Sequence, residues 1–288
     1  MPVTENTPVT EQLKTLVDQM PDPDGDGMYR KNIDKDKIDK VAAELAQGGK
    51  ENLLGLISLL AAPGSKEDAK PHYALHCVVN HALVTRDEKL RRALCEALAS
   101  QLTNVDLHPV NRAYLCQELQ WAGRDEACAP LGGVLLDADL IDAAATALIA
   151  IGGERAASQL RAAVPQAEGK AKLNLIDALA VLADPQSAAI FQKALADSDR
   201  EVRLAAAAGL GELGQADSVE LLLKAADAAQ GWERTQLTKS CLVLAEKLAA
   251  SSNKPAAKRI YERLQTTRMT KSEEHIRVAA QRGLAAMG

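Results

Sequence analysis

Chemistry in this 288-residue chain would have to come from a few local clusters. The first is Asp22-Pro23-Asp24-Gly25-Asp26-Gly27. Acidic oxygens at alternate positions, followed by a glycine for the sharp turn, make the first half of an EF-hand loop, in which carboxylates cage calcium. The second half fails. The place of the closing bidentate glutamate is held by Ile33, and Asp34 comes one residue late. The cage then lacks two oxygens, so Asp22, Asp24 and Asp26 stand as candidate ligands while a simple Asp/Gly turn is the favoured reading. His72, His76 and Asn80 repeat every fourth residue and so line one helical face. His108 falls at the position equivalent to His72. Three imidazoles on one surface, completed by water or a carboxylate, are a zinc-type donor set. Against zinc, no cysteine or acid stands at a defined ligand spacing, and His76 sits in a slot that arginine fills elsewhere in the chain.

Other chemistries find less support. Gly48-Gly49-Lys50 lacks both the earlier glycine and the following Ser/Thr of a phosphate-binding loop and reads as a helix break. There is no G-x-S-x-G elbow or other nucleophile–base motif. The five cysteines (Cys77, Cys95, Cys116, Cys128, Cys241) are scattered without C-x-x-C spacing, as expected of reduced, buried thiols. The expectation is a protein without catalysis and without a cofactor.

The elements that must carry these residues are helices. Residues 199–214 show the plan most clearly: Val202, Ala205, Ala206, Leu210 and Leu213 form one apolar face, Asp199 stands at the cap, and Gly214 follows the last periodic residue. A second amphipathic run through Val219, Leu222 and Ala226 completes a helical hairpin. With Leu210 as anchor, equivalents appear at Leu83, Leu119, Leu148, Leu179, Leu242 and Leu284, at successive spacings of 36, 29, 31, 31, 32 and 42 residues. Seven residues before each anchor stand His76, Arg112, Ile141, Lys172, Arg203, Thr235 and Arg277, basic in five of seven. Eleven before four of them are Asp137, Glu168, Asp199 and Glu273, acids suited to a helix start. A recurring period near 31 residues is the mark of a solenoid.

In the pattern Asp-x-x-Val-Arg-x-x-Ala-Ala-x-x-Leu-Gly-x-Leu-Gly, met best by residues 199–214 and nearly as well by 273–286, the chain resembles bacterial HEAT-like repeats of the kind also found in phycobilisome bilin lyases. The resemblance implies that the basic residue of each repeat bonds to the acidic turn of a neighbour. Arg112, Lys172, Arg203 and Arg277 then form an inter-repeat ladder, or, where unpaired, mark a partner-binding face. HEAT-fold hydroxylases that hold two irons use repeated His-Glu pairs; here the only adjacent pair is reversed, Glu274-His275, which argues against that family.

Composition agrees with a helical array. The chain is 47% hydrophobic, rich in the helix formers Ala and Leu, and only 2% aromatic, which leaves few rings to stack bases or planar cofactors. A net charge of −5 argues against a general nucleic-acid binder. It is uneven: residues 230–288 carry eleven Lys/Arg against five Glu, a local +6 that leaves −11 on the rest. No apolar leader is visible at the N-terminus and no run approaches a membrane span, so a cytoplasmic location is expected.

The expected fold is all-α, a right-handed α-α superhelix (a HEAT-like α-solenoid) of stacked hairpins. It divides into residues 1–34 (a disordered lead over 1–8, a short helix, the Asp/Gly loop), 35–105 (irregular helical repeats) and 106–288 (regular repeats). The expected function is a non-catalytic scaffold or adaptor that binds a protein partner on its concave face through the second helices of the repeats. The alternative is a bilin-lyase-like or other cofactor-handling enzyme of the same fold.

Overall fold

The computed structural model describes residues 9–24, 33–62, 64–65 and 67–287. The expected disordered lead, and Gly25, Asp26 and Gly27 of the candidate calcium loop, lie outside the described residues. Every regular element among the described residues is helical. The chain divides into two compact units, Met1–Gln159 and Leu160–Gly288.

The first unit holds α1 (Glu11–Asp18), α2 (Lys35–Gln47), α3 (Gly49–Ser58), α4 (Ala69–Thr85), α5 (Glu88–Ser100), α6 (Pro109–Ala122), α7 (Asp125–Gly132) and α8 (Ile141–Ile151). The next helix, α9 (Gly153–Ala163), runs across the division. The second unit holds α10 (Gly169–Leu182), α11 (Ala188–Ala194), α12 (Arg200–Leu213), α13 (Val219–Ala228), α14 (Gly231–Ala250), α15 (Lys254–Thr267) and α16 (Glu274–Met287). No described helix is long and apolar enough to cross a membrane.

The stretch that set the repeat pattern shows why these helices form and stack. Asp199 begins α12 by accepting the backbone N–H of Glu201 at 2.8 Å, offsetting one of the unpaired donors every helix start leaves. Gly214 ends it at φ +63°, a left-handed conformation open to glycine at little cost. Between them Val202, Ala206 and Leu210 are buried; each large aliphatic side chain so buried contributes about 2 kcal/mol. On its flanks α12 meets its neighbours through glycine. A Cβ on Gly209 would lie 2.6 Å from the Phe191 ring of α11, and one on Gly211 would lie 2.9 Å from the Ser240 carbonyl of α14. A ring seats against Gly209 and a backbone against Gly211 because nothing larger stands there.

The first helices of successive hairpins, α10, α12 and α14, pack side by side along their lengths, whereas the second helices α13 and α15 meet only slightly. Leu119, Leu148, Leu179 and Leu210 are fully buried, as their anchor role requires. At the next period the buried residue is Cys241, with Leu242 only half-buried. The true spacing there is therefore 31 rather than 32, and every offset counted from Leu242 moves back by one.

Candidate partner-binding groove

Three of the four sequence-derived basic residues, Arg112, Lys172 and Arg203, are cross-ties between hairpins, and Arg277 caps the loop before its own helix. The Arg112 guanidinium, nearly buried, donates to Asp137 at 3.0 Å. Lys172 donates to Asp197 at the start of the next hairpin. Arg203 reaches Glu233 at 2.8 Å and also binds the carbonyl of Asp197 at 2.8 Å. Arg277 caps the carbonyl of Thr270 at 3.0 Å and that of Arg268. One rung was missed. Arg234, not Thr235, continues the series, donating to Glu273 at 2.7 Å and to the carbonyls of Ala226 and Thr267. It is found seven residues before Cys241, once the corrected anchor is used. The acids also differ from expectation: Lys172 and Arg203 use Asp197 and Glu233, while Asp199 serves as a helix cap. Ile141 fills the slot in its repeat with a buried apolar side chain.

The three candidate zinc histidines have separate occupations. His72 faces Asp68, with 2.9 Å between its Nδ1 and a carboxylate oxygen, and its ring stacks obliquely on Tyr114 at 4.6 Å. His76 binds the Glu118 carboxylate at 3.1 Å through Nδ1 and Asn80 at 3.1 Å through Nε2. His108 caps α6, its Nδ1 accepting the N–H of Val110 at 3.2 Å. In the acidic loop, Asp22 lies 3.3 Å from Lys70 and Asp24 is engaged as well. Among the described residues no three His, Cys, Asp or Glu side chains come together around a possible metal position. The cysteines are unpaired thiols. Burial pushes Cys95, Cys116 and Cys241 up to about 12, so none is a thiolate nucleophile near neutral pH.

The sequence reading missed Glu118, which is 2% exposed. It stands one residue before the anchor, where the other repeats carry Ala82, Ala147, Ala178, Gly209, Ser240 and Gly283. A carboxylate in a slot otherwise kept small was the available signal. Glu118 holds the His76 pKa above its ordinary value by hydrogen bond and charge, against the opposing pull of burial.

The feature best shaped to receive another molecule lies in the second unit. A groove of about 360 Å³ runs over α10, α12 and α14. Leu173 and Asp177 come from α10; Glu201, Leu204, Ala208 and Glu212 from α12; Trp232, Gln236, Lys239 and Val243 from α14. It therefore lies on the first helices, not on the second ones as expected. Ala205 and Gly211 let the first-helix backbones close together, whereas Leu222, Leu223 and Ile260 add bulk to the second helices. Trp232 is 51% exposed at the rim, an unusual state for so large an apolar side chain. The Arg200 guanidinium lies 5.1 Å from the centre of its ring and 2.7 Å from a Glu201 oxygen. Asp177, although much of its surface meets solvent, is pushed above the ordinary carboxylate range, first by the groove walls withdrawing it from water and then by the facing charge of Glu201.

Residues 164–242 match the sequence model described as HEAT repeats. That stretch runs from just after α9 into α14, taking in the groove helices α10 and α12, and over it the chain is similar to HEAT repeats. The class is thus an all-α stack of helical hairpins. No curated protein matches the chain. Similar solved structures include an engineered protein, 16% identical over 96% of this chain and 78% of that one, with a TM-score of 0.46. The CpcE–CpcF complex of phycocyanin lyase from Nostoc sp. PCC7120 is 15% identical over 100% and 98% of the two chains, TM-score 0.34. Human deoxyhypusine hydroxylase in complex with glycerol is 15% identical over 96% of each, TM-score 0.32.

Proposed function

We propose that this protein is a non-catalytic interaction scaffold that seats a segment of a protein partner in the groove over α10, α12 and α14. The observation that carries the reading is Trp232: an indole left half in solvent beside Leu173, Leu204 and Val243, on an open surface formed by three successive repeats. Large aromatic side chains at the rim of a groove are the usual anchors of protein interfaces, where removing one costs about 2 kcal/mol or more. Stacked hairpins present such surfaces because each repeat contributes one helix to the same face. The groove is open along its length and mixes aliphatic walls with a few charges. That form suits an extended or helical segment better than an enclosed substrate.

The test is capture of a stoichiometric partner by the wild-type chain, compared with Trp232→Glu and Leu204→Glu, with Val105→Glu as a control at an exposed site away from the groove. Helicity of each variant is checked by circular dichroism. Retention by the control and loss in both groove variants is the expected result. A partner that ignores both groove variants, or a small molecule chemically converted by the chain, overturns the proposal.

A further inference from the structure

We propose that the partner segment carries an arginine, whose guanidinium lies between the Asp177 and Glu201 carboxylates and stacks on the Trp232 ring. This rests on the scaffold reading and narrows it to one class of partner. The groove already holds one guanidinium in this manner. Arg200 lies over Trp232 at 5.1 Å and against Glu201 at 2.7 Å, so the ring and carboxylate together suit a flat cation. The second carboxylate is unmatched. Among the described residues no cation pairs with Asp177, and the charge acting on it is the like charge of Glu201 on the next helix. Glu201 is answered by Arg200 within the chain, whereas Asp177 on the adjacent helix has no cation of its own, a place that a cation from outside fills. Leu173 and Leu204 beside them offer aliphatic surface for the stem of that side chain.

Arginine fits these groups better than lysine. Its guanidinium is planar, presents donors along more than one edge to two carboxylates, and stacks on an indole; an ammonium supplies the charge but neither the fork nor the plane. Lys239, on the α14 wall, disfavours a uniformly basic tract, so a single arginine flanked by aliphatic residues is the implied ligand.

The experiment is random-peptide display on the intact chain, followed by affinity measurements of the recovered peptides against wild type, Asp177→Asn, Glu201→Gln and Trp232→Ala. The amide substitutions are close in size to the acids, and melting curves check that each variant is folded. The expected result is that recovered peptides share an arginine. Their affinity then falls roughly ten-fold or more in Asp177→Asn and when the arginine is replaced by citrulline, while Asp177→Asn melts no lower than wild type. Peptides that depend on Trp232 but lack arginine, or that tolerate both amide variants, overturn this inference and leave the groove reading standing. Recovery of no peptide, or only of peptides indifferent to Trp232→Ala, overturns both.

Discussion

Two buried charges in this protein make measurable demands on their surroundings. Glu118 lies in a slot sized for alanine, and His76 answers it at 3.1 Å. Because the folded-state pKa of His76 is raised by that carboxylate, the protonated pair stabilises fully below the unfolded histidine value, about 6.5, and the contribution is lost as pH rises through the folded value. Urea titrations should show unfolding free energy declining as pH climbs from slightly acidic through neutral, and Glu118→Ala should remove that decline; an unchanged slope in the variant would sink the assignment. Arg268 is fully buried, bound to Asp227 at 2.6 Å and to Thr238 at 3.0 Å. Burial pushes the Asp227 carboxyl up, but Arg268 and Arg263 outweigh it and hold it below the ordinary range. Arg268→Met should therefore cost about 2–3 kcal/mol in chemical denaturation, less than a fully isolated pair because Arg263 remains at 2.8 Å. Glu118 showed beforehand only as an outsize residue in its slot, and Arg268 not at all. Arg268 falls in a stretch, 265–272, that reads as a polar surface loop, and only the fold shows the chain turning its longest cation inward.

At the scale of helices, the repeat sets a common end for α8, α10 and α12. Four residues after the anchor, Gly152 and Gly214 both adopt positive φ, and Ala183 occupies the same place at φ +47°. An L-residue with a Cβ pays a steric penalty there that glycine avoids. Ala183→Gly should raise stability by about 0.5–1 kcal/mol, the relief exceeding the greater freedom glycine gives the unfolded chain; a lower melting temperature would contradict this. Helix positions and hairpin order could be read from apolar periodicity and cap residues. Register within α14 could not, because a leucine one position late looked like the anchor while Cys241, a small thiol, held the buried place. That slip hid Arg234. That a groove opens on the first helices was not legible for a related reason. Which layer packs more closely depends on the summed bulk of Ala and Gly against Leu and Ile across several helices, not on the pattern of any one of them.

Across the whole chain, charged rungs tie a hairpin to the one that follows it: Arg112 to Asp137, Lys172 to Asp197, Arg203 to Glu233, Arg234 to Glu273. Charge reversal at these places is accordingly a structural lesion. Lys172→Glu sets like charges together and should lower the melting temperature of the second unit, by about 1–3 kcal/mol in denaturant terms, with no change in the intrinsic affinity of a groove peptide for the chain that remains folded. A loss of affinity at full helicity would instead place Lys172 in the binding surface. Each sending residue stands seven before its anchor, and its receiver lies 8 to 13 residues before the next anchor, at the start of the following hairpin. A hairpin that carries both ends, such as α12–α13 with Asp197 and Arg203, takes one receiver and one sender with it when lifted out whole, and leaves Lys172 on one side and Glu233 on the other. Recombination of such hairpins in whole periods can thus lengthen or shorten the array without stranding a charge, whereas a break within one of them orphans two.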